Sequence, residues 1–297
     1  MMTQSMTALV SAFARAYHAA HNSVTVFRDP LARAMLTDQE YAAIAQNMTA
    51  GAAFFSPEGS PSEDPLRRVM DQHLAPTPLG RAAFAERALQ RAVELGAGQY
   101  LILGAGYDTF AYRQPPWAGP LQIFELDRPD AIRDKGRRLQ DREIPMPDNL
   151  HFLPTDLADA GWTSVLDQCP AFDPEQQSFC SLLGLLYYLP AAAFHQLLES
   201  LRTRIPAGSS LVFDYPSSLA GKQAQLAHGA GETMQAAYSY QEMERILSDH
   251  GFLIYEHLEP QEITRQFFSA YNQANPQHPM AAAQDVSYCL AVKDRMV

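Results

Sequence analysis

LILGAGYDT, Leu101 to Thr109, is an apolar run that ends in two glycines separated by one alanine, and the rest of the chain takes its order from it. An unbroken apolar run of this kind suits a strand in a parallel sheet covered on both faces. Gly104 and Gly106, with Ala105 between them, let the backbone turn through positive φ and approach a ligand at the carboxyl end of the strand. A plain tight turn between a strand and a helix would use the same tripeptide. A dinucleotide fingerprint would put a third small residue three positions after Gly106, but Thr109 stands there and Phe110 follows, which weakens a pyrophosphate reading.

Downstream, short apolar runs alternate with helical stretches. Strands are predicted within residues 99–106, 121–127, 150–156, 179–189, 209–215, 252–259 and 286–293, and helices over Ile132 to Leu139, Ala191 to Arg204 and Tyr240 to His250. Such alternation implies right-handed crossovers and a doubly wound sheet. No clear helix separates the last two strands, only an irregular stretch near Asn275 to Pro279, so an antiparallel final strand is expected. Residues 1–95 differ: they are Ala-rich and helical in period, broken by proline at Ser56 to Pro65 and Pro76 to Pro78, with a glycine closing the last helix near Gly96. They read as an N-terminal helical cap on a sheet domain of residues 96–297, with residues 217–239 as a lid insertion.

Two further strand ends carry acids. IFELDRP places Glu125 and Asp127 where a Rossmann-like site sets an acid on ribose hydroxyls. Period-2 alternation sends both to the same side, so spacing does not choose between them. PTDL places Asp156 and Leu157 past the next strand, an acid for an exocyclic amine and an apolar side chain for a ring; an N-cap for a following helix explains Asp156 nearly as well.

Net charge is −11, and the basic stretch Arg133 to Arg142 is interrupted by Asp134 and Asp141, so nucleic acid is not an expected partner. Three scattered cysteines form no disulfide framework or CxxC site, and HxxH at His18 and His21 lacks a third ligand, so no metal is expected. The most apolar stretch, Phe179 to Phe194, is shorter than the roughly 20 residues of a membrane helix. With no basic-then-apolar leader at its start, the chain reads as cytoplasmic.

GAGYDTFAYR, FELDRP, PTDL, LLGLLYYLP and LVFDYP, in this order and preceded by RAYHA, VFRDPLARAML and GRAAFAER, resemble the leucine carboxyl methyltransferase family, above all its bacterial members, including the tetracenomycin-type polyketide O-methyltransferases. The likeness runs over roughly residues 7–295. It implies a class I methyltransferase: an α/β Rossmann-like seven-stranded sheet with helices on both faces and an N-terminal helical cap. It also implies S-adenosyl-L-methionine as cofactor, S-adenosyl-L-homocysteine as product, and in-line transfer to a carboxylate or hydroxyl of a small molecule.

By the same resemblance, Arg81 clamps the methionine carboxylate, Gly104 to Gly106 approach the cofactor, Asp127 or Glu125 holds the ribose, and Asp156 with Leu157 holds the adenine. Asp108 and Arg113 brace the loop. His21, Tyr187 and Tyr188 are candidates to face the acceptor, a carboxylic acid by preference, though packing explains each as well. No catalytic base is evident. Two departures count: Leu183-Gly184-Leu185 stands where the family commonly has Glu-Gly-Leu, and Val24 lies near the position of a lysine in the protein-modifying members. A cofactor-binding protein without catalysis, or a nicotinamide oxidoreductase, are the competing readings.

Overall fold

The strands run Gln99–Leu103 (β1), Gln122–Asp127 (β2), Leu150–Pro154 (β3), Ser178–Leu182 (β4), Ser210–Pro216 (β5), Phe252–Leu258 (β6) and Val286–Lys293 (β7). The structure is a computed structural model describing residues 5–52, 64–220, 222–229 and 231–295. One seven-stranded sheet results, in the order β3-β2-β1-β4-β5-β7-β6. The first five strands are parallel to one another, and β7 is antiparallel to both β5 and β6, as expected. From β1 the chain winds outward to β2 and β3, then returns to lay β4 on the other side. The crevice between the carboxyl ends of β1 and β4 is therefore the topological switch point, where ligands bind in open α/β sheets.

The helices are Met6–His21 (α1), Asp38–Ala50 (α2), Pro65–Val69 (α3), Pro76–Glu94 (α4), Pro129–Asp141 (α5), Ser164–Asp167 (α6), Ala191–Arg204 (α7), Lys222–Gly229 (α8), Tyr240–Asp249 (α9), Pro260–Ile263 (α10) and Ser269–Ala274 (α11). α3 runs into a π turn at Met70–Leu74, and α10 is joined to α11 by another at Thr264–Phe268. α4 ends as the sequence suggests: Gly96 N–H donates to the Val93 carbonyl at 3.0 Å and Ala97 N–H to the Ala92 carbonyl at 2.9 Å, a Schellman closure.

Strand alternation divides the core in two. Tyr100, Ile102, Phe179 and Tyr288 face a cluster that also buries Phe13 of α1 and Phe84 and Leu89 of α4. Leu101, Leu103, Phe124 and Phe213 face the opposite cluster with Phe194, Leu197 and Leu198 of α7 and Leu247 of α9. The last N-terminal helix, α4, thus lies directly on β4, β5 and β7, while α1 packs against α4 and the turn around Ala32–Met35. No described helix is long and apolar enough to cross a membrane.

Two expectations need correction. The apolar run 179–189 is strand only to Leu182; Gly184, at φ +67°, turns the chain out of the sheet. Between β6 and β7, where no clear helix was expected, the chain is helical from Pro260 to Ala274 before the irregular stretch at 275–279. Glu259 caps that stretch with Glu262 in a reciprocal box, an uncommon capping residue, and the β-favouring Phe267, Phe268 and Tyr271 hide the helical period.

Candidate functional site

A cavity of about 1610 Å³ opens at the carboxyl ends of β1 and β4 and is walled by α1, α2, the π turn after α3, α4, and the segment between β5 and α9. A pocket for one small ligand is typically ~300–1,000 Å³, so there is room for a second molecule.

The glycine turn forms one wall. Gly104 and Ala105 N–H groups both donate to the Leu126 carbonyl, at 2.8 and 3.1 Å, which fastens the turn to the end of β2. Gly104 and Gly106 take φ values of +74° and +44°. Gly106 N–H donates to Asp127 Oδ2 at 2.7 Å and Arg128 N–H to Oδ1 at 2.7 Å. A carboxylate offers about four acceptor positions, so Asp127 keeps capacity for hydroxyls on the cavity side. Glu125 does not line the cavity. It is fully buried under α5, paired with Lys135 Nζ at 2.5 Å, and its carboxyl is pushed up to about 7 by burial, against the pull of Lys135. Asp127 escapes the same fate because β2 ends there.

Past β3, Asp156 lines the cavity and accepts from Ala158 N–H at 2.9 Å, a local turn rather than the N-cap of a helix, since α6 starts only at Ser164. Leu157 is buried in the wall beside it.

Across the cavity stands Arg81. Its Nη1 donates to Asp214 Oδ2 at 3.2 Å and its Nη2 to Ser11 Oγ at 3.4 Å. Burial works against its charge, and Asp214 together with Tyr187 and Tyr288 more than offsets it, so the guanidinium is held protonated. Asp214, fully buried on β5, also accepts from Gly184 N–H at 2.7 Å and Tyr187 Oη at 2.8 Å. A Cβ at Gly184 would collide with the Arg81 guanidinium, so the glycine serves both the turn and the arginine. Asp214 escaped sequence reading; its signal was a charge set in an otherwise apolar strand, SLVFDYP.

Tyr187 and Tyr188 line the cavity, and burial raises both phenols, Tyr187 far above the ordinary range with help from Asp214. Leu183 adds an apolar surface. His21 is elsewhere: it is exposed, stacks on Tyr17 with ring centroids 4.0 Å apart, and hydrogen-bonds the Tyr17 carbonyl at 2.8 Å. His18 is a core residue whose Nε2 accepts from Val26 N–H at 2.9 Å, and burial lowers it to about 4. The π turn brings a different histidine, His73, to the cavity wall.

Behind the glycine turn lies a bracket centred on buried Asp29. It accepts from Thr109 Oγ1 at 2.7 Å, Ala32 N–H at 3.0 Å and Arg15 Nε at 2.9 Å, while Arg15 Nη2 reaches the Tyr107 carbonyl at 2.7 Å. Arg113 Nε donates to Thr109 Oγ1 at 3.0 Å, and its guanidinium grips Glu86 of α4. Asp108 accepts from Phe110 N–H at 2.7 Å. Arg113 and Asp108 thus brace the loop.

Comparison with known proteins fits this geometry. The leucine carboxyl methyltransferase pattern matches residues 8–202. A Bacillus subtilis (strain 168) protein, YktD, assigned by name to the S-adenosyl-L-methionine-dependent methyltransferases, is 36% identical over 307 residues, covering 97% of this chain and 98% of that protein. Two crystal structures share the fold: a DUF574 family protein of Streptomyces avermitilis MA-4680, at 15% identity, TM-score 0.58 and coverage of 95% and 97%, and a protein of Thermobifida fusca YX assigned as a methyltransferase, at 15% identity, TM-score 0.59 and coverage of 98% and 96%. The chain belongs to the leucine carboxyl methyltransferase family and is an S-adenosyl-L-methionine-dependent methyltransferase.

Proposed function

We propose that this enzyme methylates an oxygen of a small molecule, a carboxylate by preference, with S-adenosyl-L-methionine spanning the cavity from Arg81 to Asp127. The observation that carries this is the placement of opposite charges across the glycine turn: a guanidinium suited to a carboxylate on one side and an acid suited to ribose hydroxyls on the other. Among the described residues Asp214 and Ser11 engage two of the five Arg81 donors, which leaves N–H groups for an amino-acid carboxylate. Asp156 and Leu157 stand at the end beyond Asp127, where an adenine would lie.

When bound, the cofactor supplies an electrophilic methyl on a sulfonium, open to in-line displacement. The protein's share is orientation and a dry site, and orientation contributes as much as ~7–11 kcal/mol. A carboxylate acceptor, with a pKa near ~4, is ionised at neutral pH and needs no base. The raised phenols of Tyr187 and Tyr188 are poor bases near neutrality, which favours such an acceptor over a hydroxyl. Leu183, Met6, Met48 and Met234 give the second part of the cavity an apolar, adaptable lining for the body of the acceptor.

The test is a thermal-shift titration with S-adenosyl-L-methionine, S-adenosyl-L-homocysteine and NAD on the native protein and Arg81→Ala. Ligand at ~100 times its dissociation constant adds about 2.7 kcal/mol, a rise of roughly 5–10 °C at this size. A rise with both adenosyl ligands that is lost in Arg81→Ala supports the reading and justifies screening carboxylic acids beside phenols. A rise with NAD alone overturns it.

A further inference from the structure

The segment that follows β5 lines the cavity with Gln225, Ala227 and residues 231–235, and its Glu232 is fastened to the amino end of α1. Gly231 N–H donates to the His228 carbonyl at 3.0 Å and Glu232 N–H to the Ala227 carbonyl at 2.9 Å, so Glu232 is part of the closure that ends α8. Gly231 takes φ +79°, which that closure requires, and no atom lies within 4 Å of where its Cβ would be. Glu232 then meets the first turn of α1, which has no acid of its own. Its Oε1 accepts from Ser5 Oγ at 2.8 Å and Thr7 N–H at 3.3 Å, and its Oε2 from Thr7 Oγ1 at 2.6 Å. Ser5 is the N-cap of α1, its Oγ accepting from Ala8 N–H at 3.2 Å, so the carboxylate sits where helix α1 favours an anion. Beyond this point the segment re-docks on the body through Gln235 N–H to the Tyr187 carbonyl at 2.7 Å and Tyr238 N–H to the Pro216 carbonyl at 2.9 Å.

Resting on the reading of the cavity as the cofactor and acceptor site, we infer that Glu232 is a positioning residue: its carboxylate catches the cap of α1 and holds α8 and residues 231–235 across the mouth, closing the site around bound ligand. Among the described residues, the strap is tied to the body at one end by Ser217 N–H to the Asp285 carbonyl at 2.9 Å and at the other by the Gln235 and Tyr238 amides, while its middle meets α1 through the Glu232 side chain and its three donors. Releasing that side chain frees the strap about Gly231 and leaves the sheet, the glycine turn and Arg81 untouched.

Two measurements test this on the full chain, using Glu232→Gln and the double variant Ser5→Ala/Thr7→Val. In ligand-free protein, amide hydrogen exchange over residues 222–229 and 231–238 is expected to rise about 10-fold in both variants, with β1, β4 and β5 unchanged. In stopped flow, S-adenosyl-L-homocysteine is expected to leave both variants about 10-fold faster at an unaltered association rate, and the triple variant to add nothing further. A global destabilisation would instead raise exchange throughout the sheet. Native exchange rates in both variants would overturn the catch; faster exchange with unchanged ligand dissociation would overturn its role at the site. Failure of the native protein to bind S-adenosyl-L-homocysteine counts against the cofactor reading alone, because the exchange experiment still decides whether the catch exists.

Discussion

Arg81, Asp214 and Gly184 behave as one unit, so single changes in it should spread. Arg81→Ala removes a partner of a carboxylate that is fully buried, and leaving a buried charge uncompensated costs about 3–5 kcal/mol. It should therefore lower stability in urea unfolding as well as abolish adenosyl binding. Arg81→Lys restores a charge without the planar fork, and it should recover most of the stability and little of the affinity, read as separate unfolding and binding curves. Gly184→Ala sets a methyl against the guanidinium at a left-handed φ; an affinity for S-adenosyl-L-homocysteine within twofold of native would show that Arg81 is not the ligand's partner. His73 poses a cleaner question. With a carboxylate acceptor His73→Ala should leave kcat within a few-fold, whereas a fall of ~10²–10⁴ would reveal a hydroxyl acceptor deprotonated by that imidazole.

At the scale of elements, β2 and α5 share a dry ion pair. Lys135 and Glu125 are both fully buried, and Glu125 Oε1 has no hydrogen-bond partner among the described residues. Lys135→Met alone should cost about 3–5 kcal/mol, while Glu125→Met/Lys135→Met should recover it or exceed the native stability, since apolar packing often matches a buried pair. A double variant as unstable as the single one would show that the pair specifies the junction. The elements themselves were largely legible. All seven strands were found, the five parallel ones because near-continuous apolar runs mark a sheet covered on both faces, and the helix from Ala191 to Arg204 matched to the residue. The misses have local causes. Leu183 to Leu189 is as apolar as a strand, and only the φ of Gly184 ends β4. The 260–274 helix is capped by a glutamate. At the site, Asp127, Asp156, Leu157 and Arg81 do line one cavity, while Glu125 and His21 lie outside it. Period-2 spacing could not separate Glu125 from Asp127, because what separates them is α5, a neighbour remote from the strand pattern. Asp214 stayed hidden since its partners come from α4 and from the turn after β4.

For the molecule as a whole, buried titratable groups set opposing pH dependences. Glu125 is raised from 4.5 to about 7, so the folded state holds its proton more firmly and stability falls as pH rises across that window. His18 is lowered from 6.5 to about 4, so the unfolded state binds more protons and stability is lost as pH falls from about 6.5 toward 4. Removing His18 as His18→Gln should make the slope of unfolding free energy against pH more negative over this range, by up to about 1.4 kcal/mol per pH unit. A slope equal to the native one would mean that His18 binds its proton as readily in the fold as in the unfolded chain.

The position of β7 bears on how such a chain is born. It pairs with β5 on one side and β6 on the other, although it is the last strand to be made. Until residues 286–293 leave the ribosome, β5 presents an open edge and β6 has no sheet to join. The nascent chain thus carries an unpaired β5 edge from the time β5 emerges, and an unattached β6 from its own emergence, until β7 follows, a window in which chaperones or self-association compete for them. Truncations that stop short of Val286 should accordingly be rescued by holdase chaperones rather than by cofactor.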